Sequence, residues 1–357
     1  PPPQPAPGSL AQASVLLRQS RRPLVYLGGG ACTPRGAAAV RRFVEDQQIP
    51  VVSTLMALGT LPSEHPLLLG MLGMHGAAAA NHAVEAADLL LVLGARFDDR
   101  ATGKLERFNP QAKVLHVDIE ATELGRMRRA ELGIACDVAT FLDTWTPEPP
   151  PPHRAQWLRQ IQHLQQHYPQ AWPQQEDPRG EYGSLLHLGE QLSPKDLVTT
   201  DVGQHQMRVA QAFPFRRPRQ LLTSGGMGTM GVGLPAALGA ALANPTARVL
   251  CFTGDGSLLM NLQELATLVE EHANVTLVLY DNASLGLVGQ QQDLFFGGRR
   301  FASDFQRPTD WAAIARAFGI PTWDLGDGAD PTAAFASALA GTGPRLVRVP
   351  ISAEAHV

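Results

Sequence analysis

The chain has 357 residues, 44% of them apolar and 17% charged, which is enough for two domains with buried cores. A formal net charge of −4 gives no electrostatic basis for binding nucleic acid or an anionic membrane surface. Cys32, Cys136 and Cys251 lie far apart, with neither zinc spacing nor a disulfide framework, and suit a reducing, cytoplasmic setting. No apolar run reaches the ~20 residues needed to span a bilayer.

The opening PPPQPAPG lacks the basic and apolar regions of a signal peptide and reads as an interdomain linker, so the chain is expected to start mid-protein. PLVYLGGG (23–30) is a strand ending in glycines, followed by a helix over 34–48. Short apolar strands follow at 50–54, 88–94, 113–119 and 132–136, and a proline run at 147–152 marks a second linker. A polar, Gln-rich helix over 154–168 comes next. Strands then resume at 196–201, 220–224, 247–253, 274–280 and 345–350, with helices over 231–243, 258–272 and 309–318. Short apolar strands separated by helices predict parallel sheets covered on both faces. The expected fold class is α/β, with two doubly wound parallel-sheet (Rossmann-like) domains over 1–150 and 181–357, joined by a linker and connecting helix over 151–180. Two basic clusters, Arg126/Arg128/Arg129 and Arg216/Arg217/Arg219, read as solvated surface.

The sharpest chemical signal is strand–GDGS–helix followed by strand–DN. Asp255 and Asn282 each fall just past a strand, with 25 residues between Gly256 and Asn282, so one helix and one strand return both side chains to the same sheet edge. A carboxylate and an amide oxygen are hard ligands suited to Mg²⁺, which takes its remaining ligands from phosphate and water. Gly254 and Gly256 would admit a diphosphate close to the backbone, and Ser257 with the following helix N-terminus would supply donors. Asp-Gly and Asp-Asn are also turn residues, and a lone GDG would be read as a turn. Residues 226–231 fit G-x-G-x-x-G, but the next strand runs into the GDGS loop rather than ending in a ribose-binding acid, which argues against a dinucleotide site.

A GDG motif and an Asn about two dozen residues on resemble the signature of thiamine diphosphate (ThDP) enzymes. GDGSLLMNLQELATLVE, DVGQHQM, SGGMGTMGVGLPAALGAAL and GARFDDRATGK resemble, more narrowly, the catalytic large subunit of acetolactate synthase, from about residue 10 onward. The resemblance implies that 1–150 is that family's FAD-binding middle domain and 181–357 its ThDP diphosphate-binding domain. It implies Mg²⁺ held by Asp255, Asn282 and the Ser284 carbonyl. ThDP contacts would come from Val202, Gly203, Gln204, His205, Gly228, Met230, Asp255, Gly256, Ser257, Asn282 and Leu287, with Met230 propping the cofactor in a bent form. It implies FAD contacts at Gly28, Gly29, Gly30, Thr54, Leu55, Met56, Gly73, Met74, His75, Arg96, Asp98, Arg100, Asp118, Ile119, Glu123, Asp137 and Val138. Gln206, Met207, Gly225 and Gly226 would add to these from the second domain. Arg100 would also meet the substrate carboxylate.

The implied reaction condenses two pyruvates, or pyruvate with 2-ketobutyrate, with loss of CO₂, in branched-chain amino-acid synthesis. Partners implied are the 2-ketoacids, a second large subunit and a regulatory small subunit. Other ThDP-dependent decarboxylases, carboligases and oxidases, or a non-catalytic cofactor-binding module, are the rival readings. No residue matches the family glutamate that protonates the aminopyrimidine, so no catalytic residue is assigned and little activity is expected of the chain alone. The family usually has Met at the position of Leu287 and Trp at that of Gln291, and Gln291 cannot supply the same apolar wall for the second substrate.

Overall fold

The computed structural model describes residues 4–307, 309–354, 356 and 357. They form two compact units. One takes the described residues up to Gln170 together with Phe215–Arg219; the other takes Ala171–Pro214 and Gln220–Val357.

The first unit is built on β1 (Pro23–Leu27), β2 (Val51–Ser53), β3 (Leu68–Met71), β4 (Leu89–Leu93), β5 (Lys113–Asp118) and β6 (Leu132–Ala135). They form one parallel sheet in the order β3-β2-β1-β4-β5-β6. Because side chains alternate along a strand, Val25, Leu27, Leu91 and Leu93 enter one buried cluster while Leu24, Tyr26, Leu90 and Val92 enter another. The chain moves outward in opposite directions from β1 and β4, so the crevice of this sheet lies at the carboxyl ends of those two strands.

The second unit holds β7 (Leu197–Thr200), β8 (Leu221–Leu222), β9 (Val249–Gly254), β10 (Val275–Asp281), β11 (Thr322–Asp324) and β12 (Arg345–Pro350). This sheet is also parallel, in the order β11-β12-β10-β9-β7-β8, and its direction reverses between β7 and β9. The expected α/β class with two doubly wound sheets is therefore the observed one.

Several local expectations differ. The helix expected over 258–272 is two pieces, Asp255–Leu258 and Glu264–Glu270. Helix Arg154–His167 packs into the first unit: Trp157 and Ile161 join its core, and Trp157 Nε1 donates to the Pro23 carbonyl at 2.9 Å. Its apolar face is narrow, made by Trp157, Ile161 and the partly buried Leu164, which is why it read as a polar connector. Arg128 is not simply solvated, since its guanidinium donates to the carbonyls of Phe108, Asn109 and Ala112. The three cysteines are buried and unbridged. Among the described residues no helix is long and apolar enough to cross a membrane.

Candidate functional site

The carboxyl edge of the second sheet gathers three loops at its reversal point. After β7, Asp201 is almost fully buried and accepts from its neighbour Val202 N (2.8 Å), Gly231 N (2.8 Å) and Gly233 N (2.9 Å). One carboxylate thus ties the 224–233 loop to β7. Helix Gln204–Ala212 starts immediately beyond, with its positive end at the same edge.

After β9, Asp255 opens the short helix Asp255–Leu258, and Ser257 Oγ donates to the Val202 carbonyl at 3.0 Å, joining the β9 loop to the β7 loop. A Cβ on Gly254 would stand 3.0 Å from the His205 ring, so glycine is needed there for side-chain packing as well as for any ligand. After β10, Asn282 Oδ1 accepts from Ser284 N at 3.1 Å. Asp281 is held by Arg348 Nε at 2.7 Å, and Arg348 Nη1 also donates to Asp324 at 2.9 Å.

Val202, Gly203, Gln204, His205, Met230, Asp255, Gly256, Ser257, Asn282, Ser284 and Leu287 all line one cavity between these loops. Gly228 and Gln291 are not among its lining residues. Sequence reasoning missed Asp201, which lies 30 residues before the glycine it binds, and Arg208 and Tyr280, which also line the cavity. The pattern D-V-G after a strand was the available signal for Asp201.

Asp255 is 2% exposed; its Oδ1 accepts from Gly256 N at 2.8 Å, while its Oδ2 is buried without a partner among the described residues. Burial, together with the neighbouring Asp281 carboxyl, pushes its pKa up to about 7. His205 Nε2 is likewise buried without a partner, and burial pushes this imidazole down to about 4, so it is neutral at physiological pH. An orphaned carboxylate oxygen beside an amide oxygen is the donor set a hard divalent cation takes. The helix N-terminus beside it suits an anionic ligand.

The family described as "Thiamine pyrophosphate enzyme, C-terminal TPP binding domain" matches residues 201–349, and its "central domain" counterpart matches residues 10–144. The chain is 48% identical over 349 residues to "Acetolactate synthase isozyme 1 large subunit" of Escherichia coli (strain K12), covering 98% of this chain and 62% of that protein. The two models together span most of the chain, which is built of the central and TPP-binding domains of the thiamine pyrophosphate enzyme family. It is also 39% identical to the isozyme 2 large subunit of Escherichia coli (strain K12), covering 95% of this chain and 62% of that protein. Against "Acetolactate synthase 1, chloroplastic" of Zea mays it is 39% identical, covering 100% of this chain and 58% of that protein. The chain thus spans about three-fifths of the length of these relatives.

The first unit arranges its candidate residues with the same logic. Gly28–Gly30 follow β1, Thr54–Met56 follow β2 and Gly73–His75 follow β3. Arg96, Asp98 and Arg100 follow β4; Ile119 and Glu123 follow β5, whose last residue is Asp118; Asp137 and Val138 follow β6. All six groups stand at the carboxyl edge. Several of these residues also have local roles within the fold. A Cβ on Gly28 would meet the Gly94 carbonyl oxygen at 2.1 Å, so this glycine lets the β1 and β4 loops touch, and Gly30 N donates to Gly94 O at 3.1 Å. Asp98 and Asp137 cap helices, accepting from Arg100 N (3.0 Å) and Thr140 N (2.9 Å). The Arg100 side chain is 68% exposed, its nearest acid being Asp99 at 3.9 Å. In the second unit, Gln206 is buried with Nε2 donating to Thr223 Oγ1 at 2.8 Å, Met207 is half-buried, and Gly225 and Gly226 lie in the loop after β8.

Proposed function

We propose that this chain forms the central and diphosphate-holding parts of an acetolactate synthase. Such an enzyme joins two pyruvates, or pyruvate with 2-ketobutyrate, with loss of CO₂, toward valine, leucine and isoleucine. The observation that carries the reading is the meeting of Asp255, Asn282 and the 202–205 loop in one cavity at the sheet's reversal point, with Asp255 Oδ2 unpartnered.

The donor set fits ThDP with Mg²⁺. Asp255 Oδ2, the Asn282 amide oxygen and the Ser284 carbonyl would hold the metal. Gln204, His205, Ser257 and the backbone of Val202, Gly203 and Gly256 would hold the diphosphate, with Met230, Gly228 and Leu287 toward the rings. When bound, ThDP supplies the nucleophilic carbon and the electron sink for decarboxylation. The residues of this chain orient it, neutralise its phosphates and exclude water from them.

FAD is the proposed ligand of the first unit. Its six strand-end loops converge on one edge, and Met56, Met74 and Ile119 expose large apolar surface there, as a flat ring system requires. The resemblance gives this flavin a structural role. A second copy of the chain and a regulatory small subunit are proposed partners, and the buried thiols suit a reducing compartment.

Calorimetric titration of the chain with ThDP, with and without Mg²⁺, tests the site: Mg²⁺-dependent binding is expected, and no binding with both present would overturn the reading. Product analysis of the assembled enzyme on pyruvate separates acetolactate from the aldehyde or acetyl phosphate of rival ThDP enzymes.

A further inference from the structure

The residues assigned above leave one charged group of the cavity unexplained. Arg208 lies one helical turn beyond Gln204 and His205, and so shares their face of helix Gln204–Ala212. It is 1% exposed, yet it lines the cavity together with His205, Gly254 and Ser257. Its Nε stands 2.6 Å from Glu181 Oε2, on the first residue of helix Glu181–Gln191. The Glu181 backbone carbonyl in turn accepts from the Tyr280 hydroxyl at 3.3 Å, and that hydroxyl meets Ser184 Oγ at 2.8 Å.

Burying such a pair is costly and stabilises a fold little compared with apolar residues of the same size. Its position therefore calls for a role at the cavity. His205 offers a neutral nitrogen there, because burial first, and the nearby Arg208 in addition, hold it uncharged against the pull of Asp201. Among the side chains that line the cavity, the positive charge presented to an anion is that of Arg208.

We propose that Arg208 is a diphosphate-binding cation acting from beneath the cavity, and that Glu181 tempers its charge and so sets how tightly the diphosphate is held. This deepens, and rests on, the assignment of the cavity to a metal-bound diphosphate. It predicts opposite effects from the two halves of one ion pair, whereas a purely structural pair would weaken binding whichever half was removed.

The test is calorimetric titration of the full 357-residue chain with inorganic diphosphate and Mg²⁺, alongside thermal melts that identify the folded variants. Arg208→Gln is expected to weaken binding at least ~10-fold, Arg208→Lys to stay within ~3-fold of wild type, and Glu181→Gln to tighten binding ~3-fold or more, the sizes expected for losing, keeping or unmasking one nearby charge. Wild-type binding with Arg208→Gln unchanged, or with Glu181→Gln weakened in the folded protein, overturns the proposal and leaves the cofactor assignment standing. If Glu181→Gln does not fold, the contrast between Arg208→Gln and Arg208→Lys decides alone: equal affinities overturn the proposal. Wild type that fails to bind diphosphate with Mg²⁺ overturns the cofactor assignment and this proposal together.

Discussion

Asp255 spends one carboxylate oxygen on Gly256 N and leaves the other buried and unpartnered. Such an oxygen is a cost to the ligand-free protein, of the size of a lost hydrogen bond or more. Asp255→Asn is therefore expected to raise the melting temperature of the ligand-free chain. It should also weaken Mg²⁺-dependent ThDP binding by more than the ~10–100-fold typical of removing an outer-shell partner. Thermal melts and calorimetry on the same preparation check both signs; lower stability together with unchanged binding would refute the metal assignment. Gln291 is half-buried on helix Gly286–Phe295, at a position where the resemblance implies an indole. Losing that apolar face predicts a weak preference for 2-ketobutyrate over pyruvate, and competition between the two ketoacids in the assembled enzyme measures it. The GDG–Asn pair was legible in the sequence because both residues sit within a few positions of long apolar strands. Arg208 with Glu181, and Asp281 with Arg348, were not, because each pair joins residues 27 and 67 positions apart that only folding brings together.

The loops show how elements hold one another. Asp201 accepts from backbone groups on both sides of the β7 edge, and Asp201→Ala would leave two buried N–H groups of the 224–233 loop without their acceptor. The expected loss is on the order of 3 kcal/mol, read as a lower urea midpoint for the second unit. Gly28 makes a contrasting case. The resemblance implies FAD contacts at Gly28 and its neighbouring glycines, and a methyl group on Gly28 would also collide with the Gly94 backbone. Gly28→Ala should destabilise the first unit by ~1–3 kcal/mol with no nucleotide present, and an unchanged denaturation midpoint would restore the nucleotide-contact explanation. Elements that escaped the sequence reading share a physical cause. β3 carries an internal glycine and only alternate buried residues, and β11 is three half-buried residues. Helix Ala78–Ala86 has no side-chain cap. Each relies on neighbours rather than on its own pattern.

At the scale of the whole molecule, each sheet is supported by buried apolar clusters of its own, and acid is expected to reach the second through Asp196. This carboxylate is fully buried and accepts from Ser193 N, Arg248 N and the Arg248 guanidinium at 2.8–3.1 Å. Burial alone would raise its pKa, but the hydrogen bonds from Arg248 and Ser193 outweigh burial and hold it below the ordinary 3.8. A carboxylate depressed in the folded state contributes stability that is complete above its unfolded pKa and lost as pH falls through its folded one. The second unit should therefore hold its stability down to about pH 4 as far as Asp196 is concerned, then lose it on further acidification, and Asp196→Asn should flatten that loss. Urea denaturation across pH 2–6 measures both slopes.

The sequence by itself determined the α/β class, the positions of the long apolar strands and the strand-end placement of the GDG–Asn pair, because burial on both sheet faces and strand periodicity are written locally. Tertiary structure alone decided which carboxylates are orphaned, clamped or paired. That choice depends on which distant backbone and guanidinium groups arrive at each buried oxygen, and short-range pattern carries no record of it.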